Sequence, residues 1–135
     1  MHGIESMVPG FAKALTRTPI AGDAWTHLTS SISLNSRDLA LVSVAVAHQS
    51  GNDYAQWVME RLAARRGLSG EDIVFASAGC AIDARENALV RGATSIALGG
   101  DGPDNLVEAV ALARLECGIV GALAPARTTR EPKGA

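Results

Sequence analysis

The feature that most constrains this chain is segment 36–50, in which apolar side chains fill almost every position from 39 to 47. Val42, Val44 and Val46 alternate as in a strand, and β-branched residues favour strands. However, the segment is long for a strand and contains neither Gly nor Pro, so we predict a helix. A helix without a polar face must be covered by other elements, so the chain has to fold around it.

The rest of the chain is typical of further helices joined by short loops. Asn35 or Ser36 can cap the apolar helix, 69–72 and 83–86 have the pattern of capping boxes, and Gly67 suits a left-handed helix end. We therefore predict an all-α fold, a compact bundle of about seven helices. The predicted helices span 8–16, 20–32, 36–50, 52–66, 69–79, 83–98 and 106–123. Residues 8–123 form the domain, with a flexible N-terminus at 1–7 and a disordered tail at 124–135.

Composition and charge exclude several classes of protein. Lys and Arg number 12 against 14 Asp and Glu, so no basic surface indicates nucleic-acid binding. No apolar run approaches the length of a membrane span, and the N-terminus lacks the features of a signal peptide, so we expect a cytoplasmic protein without a membrane partner. Cys80 and Cys117 fit neither a CxxC motif nor a metal-ligand spacing, so we expect reduced thiols and no metal.

Two of the predicted helices are apolar on nearly every side. Segment 106–123 has few charged residues, and segment 36–50 has fewer still within its centre. A domain of 135 residues encloses few helices completely. We therefore predict an obligate homo-oligomer in which other subunits cover part of this surface.

Four segments resemble motifs of the carboxymuconolactone decarboxylase and alkylhydroperoxidase D-like superfamily. SRDLALV at 36–42 resembles R-E-L-x-I-L, and GNDY at 51–54 resembles the turns G-C-E-Y-C and G-S-E-Y-E-W. ARRGLSGEDI at 64–73 resembles A-x-x-x-G-L-S-x-E-E-I, and IDARENALV at 82–90 resembles F-D-E-R-E-R-A-L-L. The resemblance implies an all-helical, alkylhydroperoxidase D-like fold that assembles as a trimer or hexamer. It also implies a pocket at the start of the helix after Gly51.

The reactive residues of the family's redox members are replaced in this chain. By the resemblance, their Glu falls on Ala40, their two cysteines on Asn52 and Ala55, and their His on Met59. A thiol peroxidase needs one thiolate to attack the peroxide and a second thiol to resolve the product. This chain is therefore predicted not to be a CxxC thiol peroxidase.

Helical spacing predicts which residues face the pocket. Residues 48, 52, 55 and 59 share one face if the bend at Gly51 preserves the helical phase. His48 is then the one residue on that face with an imidazole, the side chain most often used as a general acid or base, and Met59 is soft enough to fit an irregular ligand. The residues predicted to contact a ligand are Gln49, Asp53, Tyr54, Ala55, Trp57 and Met59.

These residues suggest an enzyme that uses neither metal, thiol nor other cofactor. His48 would act as general acid or base, Asn52 would stabilise a developing oxyanion, and Glu60 or Asp53 would orient the imidazole. This arrangement suits decarboxylation, isomerisation or cyclisation of a small organic acid or ketone. The family's lactone decarboxylases act without cysteines, although they keep a His where this chain has Met59.

The alternative is that His48 is a core histidine bonded to a backbone carbonyl. The protein would then be a catalytically silent paralogue, acting as a small-molecule binder or an assembly partner.

Overall fold

The computed structural model describes residues 3–125, in which every regular element is an α-helix. This confirms the all-α prediction, with eight helices in the described range in place of about seven. The predicted tail falls almost entirely at 126–135, outside the described residues. The helices are α1 (Ile4–Met7), α2 (Phe11–Arg17), α3 (Pro19–Ser31), α4 (Ser36–Ser50), α5 (Asp53–Arg65), α6 (Gly70–Ser77), α7 (Ala84–Ala97) and α8 (Asp104–Ala122).

Helix α1 is the additional element, and it lies in the segment predicted to be flexible. Ile4 is fully buried and packs in one core cluster with Val8, Phe11 and Leu62. These first three apolar residues recur at i, i+4 and i+7, which is the spacing of one helix face. Within the segment predicted to be flexible, Ile4–Met7 thus forms a helical turn, and Ile4 packs against α5.

Helix α4 forms the centre of the domain, as predicted. Asn35 Oδ1 accepts a hydrogen bond from the backbone N–H of Asp38 at 2.8 Å and so caps the helix. Residues 40–47 are all buried, because α5, α6, α7 and α8 each pack against α4. The chain thus covers this apolar helix by itself, so α4 does not require a second subunit for its burial.

Of the two predicted capping boxes, the one at the start of α6 is formed and the one at the start of α7 is formed only in part. Ser69 and Asp72 form the predicted capping box, in which each side chain accepts a hydrogen bond from the other's backbone N–H. At α7, Asp83 caps the N–H of Glu86 at 2.9 Å, but Glu86 turns its carboxylate to Arg37 in α4. A charge-assisted, two-pronged contact with a guanidinium is stronger than the reciprocal cap that the local pattern predicted.

Helix α8 is buried on one side and exposed along the other. After its first turn, the exposed residues of α8 follow helical spacing, and only one of them is charged. They are Val107, Ala111, Arg114, Gly118 and Ala122. Helix α3 packs beside this face without a fully buried residue of its own, and Trp25 Nε1 ties it to Glu116 of α8 by donating a 2.8 Å hydrogen bond. Within 3–125 no helix combines the length and the hydropathy that crossing a bilayer requires.

Candidate functional site

A cavity of about 490 Å³ lies where α4 ends and α5 begins, against the last turns of α7 and α8. Its volume falls in the range of small-molecule pockets, roughly 300–1,000 Å³. We call it the polar cavity. It is lined by Val46, Gln49, Ser50, Asn52, Ala97, Arg114, Cys117, Gly118, Gly121 and Ala122.

The turn between α4 and α5 positions the two carboxamides of this cavity. Gly51 ends α4 in the left-handed region, with φ of 71°, where a glycine carries no Cβ strain. Asn52 then caps α5, because its Oδ1 accepts a hydrogen bond from the backbone N–H of Ala55 at 2.8 Å. Its oxygen is thus committed to the helix, while Nδ2 has no partner among the described residues and remains available as a donor.

Gly121 allows α8 to approach this turn closely. A Cβ at Gly121 would lie 2.8 Å from Asn52 Nδ2, closer than real Cβ contacts. At Gly118, one turn earlier, a Cβ would meet nothing within 4 Å. The two glycines therefore serve different purposes: one makes room for the Asn52 amide, and the other leaves open space beside the cavity.

Arg114 provides the positive charge of the polar cavity. Its Nη1 donates to the carbonyl of Ala97 at 3.4 Å, and it forms no salt bridge with any described acidic residue. The other polar lining groups, Gln49, Ser50 and Asn52, are uncharged amides and a hydroxyl. The cavity therefore presents a guanidinium and neutral donors to a ligand, a combination that recognises carboxylate oxygens.

Cys117 lines the cavity but is not a reactive thiol. Its side chain is buried, and this burial, with the neighbouring charge of Glu116, raises the pKa of the thiol to about 12. The thiol is then protonated at neutral pH, and the thiolate is the form that attacks electrophiles. Cys117 contributes a neutral, weakly polar surface to the cavity.

Of the predicted site residues, the structure brings Gln49 and Asn52 together in the polar cavity. His48 is exposed and does not line it. No hydrogen bond joins the imidazole to Asp53 or Glu60 among the described residues, and Glu60 instead accepts a long 3.5 Å contact from Ser77 Oγ. The alternative of a core histidine bonded to a backbone carbonyl is wrong, because His48 is neither buried nor hydrogen-bonded in this part of the chain.

Ala55 and Met59 lie in the core and not in the cavity. Both are at most 1% exposed, and they pack with Val58 and Phe11. The predicted common face of residues 48, 52, 55 and 59 is not formed, because the left-handed turn at Gly51 interrupts the helical phase. The face of α5 that carries Ala55 and Met59 therefore packs in the core and does not line the cavity.

Tyr54 and Trp57 form a surface stack. Their ring centroids are 6.0 Å apart at an interplanar angle of 17°, and the guanidinium of Arg61 lies 5.0 Å from the Trp57 centroid. Trp57 is 53% exposed and Asp53 is also exposed, so neither forms a wall of the polar cavity. The arginine covers part of the indole face, a cation–π contact that shields it from water.

Most of the cavity residues that the sequence did not indicate come from α8. Arg114, Cys117, Gly118 and Gly121 are distant in sequence from the α4–α5 turn, and only the packing of α8 on that turn brings them together. The signal present in the sequence was the pair of glycines in an apolar helix, which indicates a close approach. The group that approaches Gly121 is the side-chain amide of Asn52.

Within 3–125 no three His, Cys, Asp or Glu side chains cluster so that they could hold a metal ion. Comparison with protein-family models, curated proteins and solved structures finds no match to this chain, so the candidate site rests on the geometry described above.

Proposed function

We propose that this chain binds a small organic acid or ketone in the polar cavity, without a metal, a thiol or another cofactor. The observation that carries the proposal is Arg114, whose guanidinium borders a cavity of about 490 Å³ and has no carboxylate partner among the described residues. The remaining polar lining groups are neutral. A single positive charge among neutral donors favours a ligand that carries one carboxylate or a polarised carbonyl.

The proposal includes membership of the carboxymuconolactone decarboxylase and alkylhydroperoxidase D-like superfamily. Its support is the resemblance of segments 36–42, 51–54, 64–73 and 82–90 to that family's motifs, together with an all-helical architecture. The family assembles as trimers or hexamers, so we also propose a homo-oligomer.

Binding is tested by calorimetry with a panel of small carboxylates and the ketones or alcohols of matching size. Arg114→Met should weaken carboxylate binding by about tenfold or more, because a hydrogen bond to a charged group contributes about 1.5–3 kcal/mol. Arg65→Met is the matched control, since Arg65 is exposed on α5 and lies outside the cavity lining. Equal losses in the two variants would contradict the proposal.

A second candidate is an acid/base enzyme that decarboxylates, isomerises or cyclises the bound compound. The observation that favours it is the position of His48, which precedes Gln49 of the cavity lining and has an exposed imidazole without a described hydrogen-bond partner. The side chain is accessible to solvent, and imidazole is the group most often used in general acid–base catalysis.

His48→Gln separates the enzyme from the binding protein. Because His48 is exposed, the free energy of unfolding of the variant should differ from that of the parent chain by less than about 0.5 kcal/mol. An enzyme would lose turnover in this variant while keeping its ligand affinity. Turnover that persists unchanged would exclude His48 as the acid or base.

A further inference from the structure

A second cavity, of about 400 Å³, lies on the other side of the exposed ridge of α8, between that helix and the α2–α3 pair. We call it the apolar groove. All but two of its lining residues are apolar or glycine. The lining comprises Ala14, Thr18, Ala21, Arg114, Leu115, Gly118, Ile119, Ala122 and Leu123.

The apolar groove and the polar cavity share one boundary. Arg114, Gly118 and Ala122 line both, and they follow one another at a spacing of four residues along α8. Gly118, at the centre of this boundary, carries no side chain, and a Cβ placed there would meet nothing within 4 Å. An elongated ligand can therefore pass over Gly118 from one cavity into the other.

The chemistry of the two cavities is complementary to an amphipathic anion. The groove offers methyl and isobutyl groups, which favour hydrocarbon because its burial removes apolar surface from water. Arg114 stands at the junction with its charge unpaired among the described residues, and the Asn52 amide and Gln49 lie on the polar side. The groove lining contains no acidic residue that would oppose an anion.

From this arrangement we infer that the ligand is a straight-chain aliphatic carboxylate. Its carboxylate binds Arg114 beside the carboxamides of the polar cavity, and its hydrocarbon chain crosses Gly118 into the apolar groove. This inference rests on the proposed function, since it requires the polar cavity to bind an organic acid, and it adds the class of acid.

The first experiment is a calorimetric series of unbranched carboxylates from propanoate to decanoate, each below its micelle concentration. Affinity should rise by roughly fourfold per methylene until the groove is filled and should then level off. The primary alcohol of the same length should bind more weakly than the acid, and Arg114→Met should remove that difference. A stoichiometry of one ligand per chain is expected.

The second experiment fills the groove. Ala21→Phe should flatten the dependence on chain length while leaving propanoate affinity unchanged, because Ala21 lines the groove and not the polar cavity. Ala14→Phe, on α2, is an independent variant with the same expected result, in case one of the two does not fold. Ala12→Phe is the matched control, since Ala12 is exposed on α2 outside the lining. This variant should show the same dependence of affinity on chain length as the parent protein.

The possible results separate the inference from the proposed function. If propanoate binds through Arg114 but longer acids gain nothing, the inference fails and the proposed function stands. If no carboxylate binds, the inference fails, and if no ketone of the panel binds either, the proposed function fails with it. If the acids do not bind and Ala21→Phe instead lowers the mass measured by light scattering, the groove is an interface between copies of the chain and the inference is overturned.

Discussion

Arg37 connects three helices by binding two carboxylates. Its Nε and Nη2 donate to Glu86 of α7 at 2.6 and 3.0 Å, and its Nη1 and Nη2 donate to Asp72 of α6 at 3.3 Å each. Glu86 is only 8% exposed, so its buried negative charge would be costly without the neighbouring guanidinium. The hydrogen bonds that Arg37 donates to Glu86 and Asp72 hold the pKa of the guanidinium above its usual value.

Replacing Arg37 with Met should destabilise the fold by about 1–2 kcal/mol. This lies between the cost of breaking a buried pair and that of breaking an exposed one, because Glu86 is buried while 42% of the arginine side chain is exposed. Urea unfolding followed by circular dichroism measures the change. Arg65→Met, on the exposed side of α5, should shift the free energy of unfolding by less than about 0.5 kcal/mol, and an equal effect of the two changes would contradict this role.

Asp72 should make stability depend on pH in the acid range. A hydrogen bond from the backbone N–H of Ser69, and then those from Arg37, hold the pKa of this carboxyl below its usual value. Because the folded pKa is depressed, the stabilisation is complete above the unfolded pKa of about 3.9 and is lost as pH falls through the folded pKa.

The measurement is the urea midpoint from about pH 6 down to about pH 3. Asp72→Asn should reduce the loss of stability below about pH 4, because the group that takes up the proton on unfolding is gone. Asp101→Asn, in the exposed loop before α8, should show the same dependence of the urea midpoint on pH as the parent chain. The same decline in Asp72→Asn as in the parent chain would show that other carboxylates cause it.

At the scale of the element, α8 shows why two glycines in one helix are not equivalent. Gly118 faces open space, whereas Gly121 faces the Asn52 amide that caps α5. Because the Asn52 oxygen is held by its bond to Ala55, this amide cannot move away from α8 without weakening the cap. Gly118 therefore lies in an exposed groove, and Gly121 lies at a packing contact between α8 and the start of α5.

Alanine substitutions at Gly118 and Gly121 should change the free energy of unfolding in opposite directions. Gly118→Ala should stabilise the fold by about 0.5–1 kcal/mol, since alanine loses less backbone entropy in a helix and its methyl meets no neighbour. Gly121→Ala should be destabilising, because its Cβ would lie 2.8 Å from Asn52 Nδ2. Thermal unfolding of the two variants tests this, and stabilisation by both would contradict the close contact at Gly121.

At the scale of the whole molecule, the surface retains large apolar side chains in several places. Ile20, Leu98, Val74 and Ile82 are 84%, 72%, 67% and 66% exposed. Since α4 is already covered within the chain, these side chains and the outer face of α8 are what an oligomer would bury.

Light scattering coupled to size-exclusion chromatography should give three or six times the chain mass of 13.9 kDa. An interface between subunits would remove these exposed apolar side chains from water. Leu98→Asp should shift the distribution towards the single chain if this end of α7 is part of the interface, while Ala12→Asp on α2 should not. A single-chain mass for the parent protein at micromolar concentration would contradict the homo-oligomer.

The candidate site was predictable in part. The α4–α5 turn was located correctly because Gly51 and Asn52 are strong local signals, and Gln49 and Asn52 do line a cavity. Trp57 is predicted to contact a ligand, but it is exposed outside the cavity, because the buried face of α5 is filled by Ala55, Val58 and Met59. Periodicity places residues on one face but does not say which neighbour that face will meet.

Local sequence signals place the starts of α4, α6 and α7 and predict α4 as the central helix, although they miss α1. Those outcomes depend on groups within about four residues of one another, such as the Asn35 cap and the Ser69–Asp72 box, and on the apolar character of 39–47. Local signals do not predict that Arg114 lies near Asn52 or that Glu86 binds Arg37, because these contacts form only when the helices pack. The partners in each pair are about 50 to 60 residues apart in the sequence, and the packing of α7 and α8 on α4 and α5 brings them together.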